Sequence, residues 1–319
     1  MGTNLRAICP INKIEIESLS GRWLAVDAHN HLFQFITAIR TRSGEPVKDS
    51  EGRPISHLLG LLPRTANLID HGIRLVYVFD GLMPELKART IEERRNLKIE
   101  AKKKYERAKE REDIEGMRKY AVRTSRLTTE IVEDSKNLLE AMGVPVVQAP
   151  AEADAQAAYM VKNGDCYAAA SQDYDMLLHG TPRVARNISK ASRKSRGLEL
   201  IILDELLENL EINRDELIAL AMFVGTDYNP DGVKGIAFKR GLKLLRKNTI
   251  EEAFEKVAPE LEWRPIIDLF KNMDVNENYS LKWKPPDENA LHELLVEKHD
   301  LSEERIEKRV EQLRRNFQV

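Results

Sequence analysis

Two pairs of carboxylates, Glu152 with Asp154 and Asp173 with Asp175, each stand just after a short apolar run in the stretch from Gln148 to Asp175. The runs, Val144 to Val147 and Cys166 to Ala170, have the length and composition of buried strands. Between them, Ala155 to Val161 is rich in Ala and Met and long enough for a helix. Strand, helix and strand in that order form a crossover. It makes the two strands parallel and brings both acid pairs out at one carboxyl edge. Carboxylates that converge with no Lys or Arg among them repel one another, and a divalent cation offsets that directly. Either pair alone reads equally well as an acidic loop. Both on one edge favour a metal site.

The same edge gathers further acids. Trp23 to Asp27 reads as a strand ending in a carboxylate, and Ala28 to Ile39 carries Leu32, Phe35, Ile36 and Ile39 at helical spacing. His29 and His31, flanking Asn30, are expected in ordinary polar or capping roles rather than as ligands. Arg40 to Pro54 is polar and punctuated by Gly and Pro, hence a loop or hairpin. Leu58 to Ile69 returns to helix, with Pro63 tolerated as a proline near the start. Ile73 to Asp80 is the clearest buried strand, and it too ends in an aspartate. Asp27 alone could simply cap the next helix. Six carboxylates at four strand ends exceed what capping explains. Such a set can hold two Mg²⁺ ions, which prefer oxygen ligands and keep several waters. Two ions about 4 Å apart suit in-line displacement at a phosphodiester. No GxxxxGK[ST] phosphate loop occurs, and no pattern marks a nucleophilic Ser or Cys.

The net charge of −2 over 319 residues, 32% of them charged, excludes global basicity, so any nucleic-acid signal must be local. It is local: from Pro84 to Arg126, fifteen Lys and Arg alternate with nine acids and large apolar residues are scarce. A solvated helical pair accounts for that composition as well as a polyanion-binding element does. Its insertion directly after the Asp80 strand sets its base beside the acids. Polar on most faces, it is expected to move until a substrate orders it. Leu127 to Met142 reads as a packed helix, and Arg183 to Ile188 and Leu198 to Leu203 as the last strands. Between those strands, Ser189 to Gly197 is basic and flexible, either a plain loop or a phosphate contact, with the loop favoured. Asn213 to Glu216 has the form of a capped helix start continued by Leu217 to Val224. After it, Gly232 and Gly235 bracket a tight turn before a basic helix, a helix-hairpin-helix pattern that takes a duplex phosphate on backbone N–H groups. Asp227, ahead of that turn, is the candidate seventh carboxylate. The two cysteines, Cys9 and Cys166, lie far apart and fit a reduced compartment. No apolar run of 18 and no signal peptide occur, so a soluble, cytoplasmic protein with no membrane partner is expected.

Five motifs in register, VDAHNHLFQF, VYVFDG, APAEADAQAAYM, ASQDYDMLL and VGTDYNPDGVKGI, resemble the flap endonucleases, the archaeal members most of all. The resemblance covers nearly the whole chain. It implies an α/β fold with a mixed, mainly parallel central sheet flanked by helices, a helical arch insertion and a helix-two-turn-helix element. It implies one 5′ nuclease domain over 1–319: nuclease parts at 1–83 and 127–203, the arch at 84–126, and a helical region at 204–319 with the DNA-binding turn near 217–246. The activity implied is structure-specific cleavage of branched DNA at the foot of a 5′ flap, in replication and repair, with 5′–3′ exonuclease activity beside it. Two Mg²⁺ per site are implied, with Mn²⁺ as a substitute, on Asp27, Asp80, Glu152, Asp154, Asp173, Asp175 and Asp227. Lys87 and Arg94 match the basic residues that reach the scissile phosphate, and Phe33 the aromatic on which a nearby base stacks. Arg64, Gly232, Gly235, Lys239 and Arg240 match duplex contacts, with a K⁺ on the turn's carbonyls. A monomer near the nucleoid is expected.

Four departures stand out. Asp154 replaces the usual Glu and, one methylene shorter, is expected to reach a metal through water. Phe33 stands where many members have Tyr, and Ala237 replaces a customary glycine, which restricts the turn. The chain ends at Asn316-Phe-Gln-Val319 without the Gln-xx-Leu-xx-Phe-Phe tail that binds the sliding clamp, so a clamp partner stays an open expectation. Two rivals remain at this level: a non-catalytic DNA-junction binder, which has no use for repulsive acids beside phosphates, and an RNA-directed nuclease with a similar acidic site.

Overall fold

Seven strands build the sheet: β1 (Asn12–Ile14), β2 (Trp23–Asp27), β3 (Arg74–Phe79), β4 (Val146–Gln148), β5 (Ala168–Ala170), β6 (Arg183–Arg186) and β7 (Leu198–Ile202). This computed structural model describes residue 3, residues 5–190 and residues 197–316. The spatial order is β1-β7-β6-β5-β2-β3-β4. Strands β4, β3, β2, β5 and β6 run parallel, while β7 and β1 pair antiparallel at the far edge. A mixed, mainly parallel sheet is what the strand–helix–strand pattern predicts. The most central strands, β2, β3 and β5, are buried almost throughout because helices cover both faces.

The helices are α1 (Ala28–Ala38), α2 (Ser56–Asp70), α3 (Ala88–Glu110), α4 (Ile114–Arg123), α5 (Thr129–Ala141), α6 (Ala153–Lys162), α7 (Asp175–Leu178), α8 (Leu203–Leu210), α9 (Arg214–Val224), α10 (Phe238–Leu245), α11 (Ile250–Val257), α12 (Trp263–Asn272), α13 (Glu288–His292) and α14 (Glu303–Arg315). Ala-rich α6 lies across β2, β3 and β5 on one face, where small side chains on helix and sheet allow close approach. That face also packs Leu217 to Phe223 of α9 and Phe254 of α11. On the other face α1, α2 and α5 bury Leu32, Phe35, Leu58, Leu61, Leu138 and Leu139, joined by Leu313 of α14.

Several expectations need correction. Helix α2 begins at Ser56, so Pro63 lies in its interior rather than near its start. Burial of ten α2 residues outweighs the one backbone hydrogen bond that proline cannot donate. Strand β5 is only three residues long, and β4 starts two residues later than the apolar run. Strand β1 and the individual helices from α11 onward have no counterpart among the expected elements. The loop from Arg40 to Pro54 does hold hairpin-like bridges, Arg40 to Pro46 and Lys48 to Pro54. Most of the basic stretch Ser189 to Gly197, and Phe317 to Val319, lie outside the described residues.

The contact of α1 with α2 yields a stability test. A Cβ on Gly60 would lie 2.3 Å from Cγ of buried Phe35. Gly60→Ala is expected to destabilise the chain by about 1–3 kcal/mol, the usual cost of overpacking. Urea unfolding measures it, and an unchanged midpoint would show that Phe35 can yield.

Candidate active site

The four strands that end in acids are contiguous in the sheet, in the order β5-β2-β3-β4, and all point the same way. Asp27 closes β2, Asp80 follows β3, Glu152 is the N-cap of α6, and Asp154 sits in that helix's first turn. Asp173 follows β5, and Asp175 opens α7. Asp227 comes from a different element, the loop after α9. The fold therefore brings all seven expected carboxylates to one edge.

Each acid has its own environment. Asp27 does cap α1, accepting the Asn30 N–H at 2.9 Å, and also accepts Ser171 Oγ at 3.2 Å. Capping and site membership are not exclusive. Burial, then repulsion from Asp80, lifts the Asp27 pKa to about 7. Asp175 accepts the Thr3 N–H at 2.8 Å, yet burial, then Asp227 and Asp173, raise it to about 7 as well. Asp154 is pushed well above the carboxylate range by burial and then by Asp27, Asp175, Glu152 and Asp173. Its Oδ1 is buried with no hydrogen-bond partner. Burial would raise Asp80 too, but the hydrogen bond from His29 Nδ1 (2.5 Å) and the Ala153 N–H (2.7 Å) hold it below its ordinary value.

The remaining charge is met by cations from the helical pair that follows β3. Helices α3 and α4 form the expected helical pair at 84–126, its base at the mouth of the site. Lys87 donates to Glu152 and lies 3.1 Å from Asp227, and Arg94 Nη2 meets Asp227 Oδ1 at 2.5 Å. Against burial, Glu152 and then Asp227 hold the Lys87 ammonium charged, its pKa raised. Lys87 and Arg94 in turn keep Asp227 below its ordinary value despite burial. Thr90 Oγ1 donates to the Asp227 carbonyl at 2.6 Å, and Arg89 pairs with Asp231, so the first turns of α3 are laced to the loop after α9. Further out, Tyr105 donates to Glu45 (2.9 Å) and Arg118 to the Arg42 carbonyl (2.5 Å), tying the pair to the 40–45 loop. Apolar burial contributes little to these ties. In α3 only Thr90, Ala101 and Ala108 are buried, whereas Leu97 is 65% exposed.

Among the described residues, no three His, Cys, Asp or Glu side chains are grouped so as to hold a metal ion as they stand. Glu152 is turned onto Lys87 and Tyr228, and Asp227 onto Lys87 and Arg94. The donor set nonetheless fits hard divalent cations. It is all carboxylate oxygen, it holds a buried carboxylate oxygen with no donor, and two of its acids are lifted to about 7 by burial and then by neighbouring acids.

A pH test follows. A carboxyl raised on folding keeps its proton in the folded chain at a pH where the unfolded chain has lost it. The metal-free fold therefore loses stability as pH rises from the ordinary 3.8 towards about 7. Cations that hold these groups ionised cancel that loss. The rise in melting temperature produced by Mg²⁺ is expected to grow from about pH 5 to about pH 8. An equal rise at both ends would contradict it.

Of the other expected residues, Phe33 projects from α1 at 40% exposure, unlike its buried neighbours Leu32 and Phe35. Arg64 lies along α2 with its guanidinium over the Phe35 ring. Gly232 and Gly235 have φ of +60° and +78°, and a Cβ on Gly232 would meet the Val224 carbonyl carbon at 2.7 Å. Lys239 and Arg240 are exposed on α10, and Arg240 donates back to the Gly235 carbonyl. Ala237 is the N-cap of α10 at φ −96°, a conformation open to any residue. His31 is a buried core residue against Phe35 and Tyr77, as an ordinary polar role implies. His29 is not merely ordinary, since it holds Asp80. Sequence reasoning also missed Tyr228, whose hydroxyl meets Glu152 at 2.5 Å, and His179, whose Nε2 lies 3.9 Å from the same carboxylate. Tyr228 adjoins Asp227 and could have been suspected; nothing local marks Thr3 or His179.

Comparisons with known proteins agree with this geometry. The XPG N-terminal domain family matches residues 3–101 and the XPG I-region family residues 143–227, the two segments that carry the strand-end acids and, at its far end, Asp227. Flap endonuclease 1 of Hyperthermus butylicus is 47% identical over 99% of this chain and 95% of its own length. That of Pyrococcus furiosus is 45% identical over the same shares. The structure of flap endonuclease-1 from Methanococcus jannaschii superposes with a TM-score of 0.82 at 42% identity, covering 99% of both chains. The catalytic core of Rad2 in complex with DNA substrate shares the fold, with a TM-score of 0.74 at 23% identity over 98% of this chain and all of that one. This chain belongs to the flap endonuclease 1 family of metal-dependent, structure-specific 5′ nucleases.

Proposed function

We propose that the chain hydrolyses a phosphodiester at the foot of a 5′ flap on branched DNA, using two Mg²⁺ held by Asp27, Asp80, Glu152, Asp154, Asp173, Asp175 and Asp227. The observation that carries this reading is the meeting, at one sheet edge, of seven acids with two cations from the arch base. When bound, the ions supply Lewis-acid activation of water and of the scissile phosphate; Mn²⁺ has the same preference for oxygen donors. The chain's own groups do the rest. Lys87 and Arg94 bring positive charge to the reacting phosphate, where a preorganised donor acts most strongly. Phe33 offers a face for the neighbouring base to stack on. Residues 84–126 form the arch for the 5′ strand, moving until substrate orders it. Lys239, Arg240 and the N–H groups around Gly232 and Gly235 take duplex phosphates, with a K⁺ on the turn's carbonyls, and Arg64 adds a contact from α2. The reading is of one nuclease domain acting as a monomer, cytoplasmic and at the nucleoid, with 5′–3′ exonuclease activity as the same chemistry at a free end.

The test is cleavage of labelled 5′-flap, hairpin and single-stranded substrates, each as DNA and as RNA, with Mg²⁺. Cleavage of the DNA flap at the junction, and little elsewhere, is the expected result. Tight flap binding without cleavage would point to a junction binder. Preferential RNA cleavage would overturn the DNA assignment.

A further inference from the structure

His29 and Asn30, two and three positions after Asp27, touch three of the acids. His29 Nδ1 lies 2.5 Å from Asp80 Oδ2, and the Asn30 side-chain amide donates to Asp173 Oδ2 at 2.9 Å. The Asn30 backbone N–H donates to Asp27 Oδ1, also at 2.9 Å. The other Asp80 oxygen takes the Ala153 N–H at 2.7 Å. Both side chains are themselves held. The His29 ring stands edge-on to Phe79, and Asn30 Oδ1 accepts from Gln34 Nε2 and from the Gln172 N–H. Neither residue lies on a strand end, and neither is a carboxylate.

We infer that His29 and Asn30 are positioning residues that aim Asp80 and Asp173 at the metals and so set the metal affinity of the site. The inference rests on the metal reading above. A carboxylate on a short side chain turns freely about its last bond, and a metal needs its oxygens within a few tenths of an ångström. Donors behind a ligand remove that freedom, and their loss typically costs 10–100-fold in metal affinity. Nδ1 is the His29 atom that faces Asp80, while Nε2 is buried and without a hydrogen-bond partner. Each Asp80 oxygen thus receives one donor, and its remaining lone pairs stay available.

Binding of Mn²⁺ alone, followed by electron paramagnetic resonance without DNA, tests this on the full chain. His29→Phe keeps the packing on Phe79 and removes the donor. His29→Asn places an amide N–H near the position of Nδ1 and keeps the donor. We expect His29→Phe to weaken Mn²⁺ binding about 10–100-fold and His29→Asn to restore most of it. Asn30→Ala should weaken it to a similar degree. Half-saturating Mg²⁺ for flap cleavage should rise in parallel. Melting temperatures of the metal-free variants exclude simple misfolding, and Asp80→Asn is the control for loss of a ligand. Wild-type Mn²⁺ affinity in a folded His29→Phe chain would overturn the inference while leaving the metal site intact. Equal losses in His29→Phe and His29→Asn would overturn it too, by showing that His29 acts through Nε2. A wild-type chain that binds no Mn²⁺ would remove the metal reading, and the inference with it.

Discussion

Changing Asp175 to Asn is expected to lower flap cleavage by about 10³-fold or more, roughly 4 kcal/mol of barrier, while leaving flap-DNA affinity intact or improved. The side chain is buried, its Oδ1 accepts the Thr3 N–H at 2.8 Å, and Asp227 and Asp173 repel its charge. Asparagine is nearly isosteric and keeps that acceptor, so the fold around Thr3 persists. It removes one charge from a crowded set, which costs a metal ligand but relieves repulsion among the acids and toward phosphate. The metal-free variant should therefore melt higher than wild type, even as catalysis is lost. Single-turnover cleavage at saturating Mg²⁺, filter binding in Ca²⁺, and a melting curve in chelator give the three readings. Loss of binding in step with turnover would mean that Asp175 holds DNA or structure rather than metal.

Replacing both Lys87 and Arg94 with Ala is the second large effect. In the free chain these cations lie on Glu152 and Asp227, so they neutralise acids that the metals would otherwise satisfy. Two consequences separate this from ordinary phosphate binding. The single-turnover rate should fall about 10³–10⁴-fold, given roughly 10²–10³-fold for one lost preorganised donor and incomplete additivity for two. Mg²⁺ should half-saturate at lower concentration, because two competing cations have left the carboxylates. Flap affinity should change by less than about threefold, since the proposed duplex contacts lie elsewhere, at Lys239, Arg240 and the glycine turn. Lys239→Ala should do the opposite, weakening binding and lowering the salt slope by about one while sparing turnover. A double variant that binds flap DNA far more weakly but turns over normally once bound would place Lys87 and Arg94 among the duplex contacts instead.

Much of the site is legible along the chain because strand ends are local features. An apolar run followed at once by an acid marks the same edge each time the strands are parallel, as at Phe79-Asp80 and at Val26-Asp27. The capping box at Asn213 and Glu216 is read from two residues three apart, and it forms as expected. Pro63 was misplaced for the converse reason. Local propensity ends or starts a helix at proline, whereas burial of Leu58, Leu61, Leu62 and Leu68 around it carries α2 straight through.

By itself, then, the order of residues determines that acids gather at one edge, that a basic helical pair follows the Asp80 strand, and that a glycine turn precedes a basic helix. Each is a matter of neighbours within a few positions, governed by side-chain period, capping and backbone freedom. Only the tertiary structure decides what offsets the acids. Lys87 reaches Glu152 across 65 positions, Arg94 reaches Asp227 across 133, and the Thr3 N–H reaches Asp175 across 172. His29 and Asp80, 51 positions apart, meet because β2 and β3 pair in register. No local pattern selects such partners, since they depend on which loops the closed sheet brings together. A buried carboxylate's charge is set by those neighbours and not by its own position in the chain.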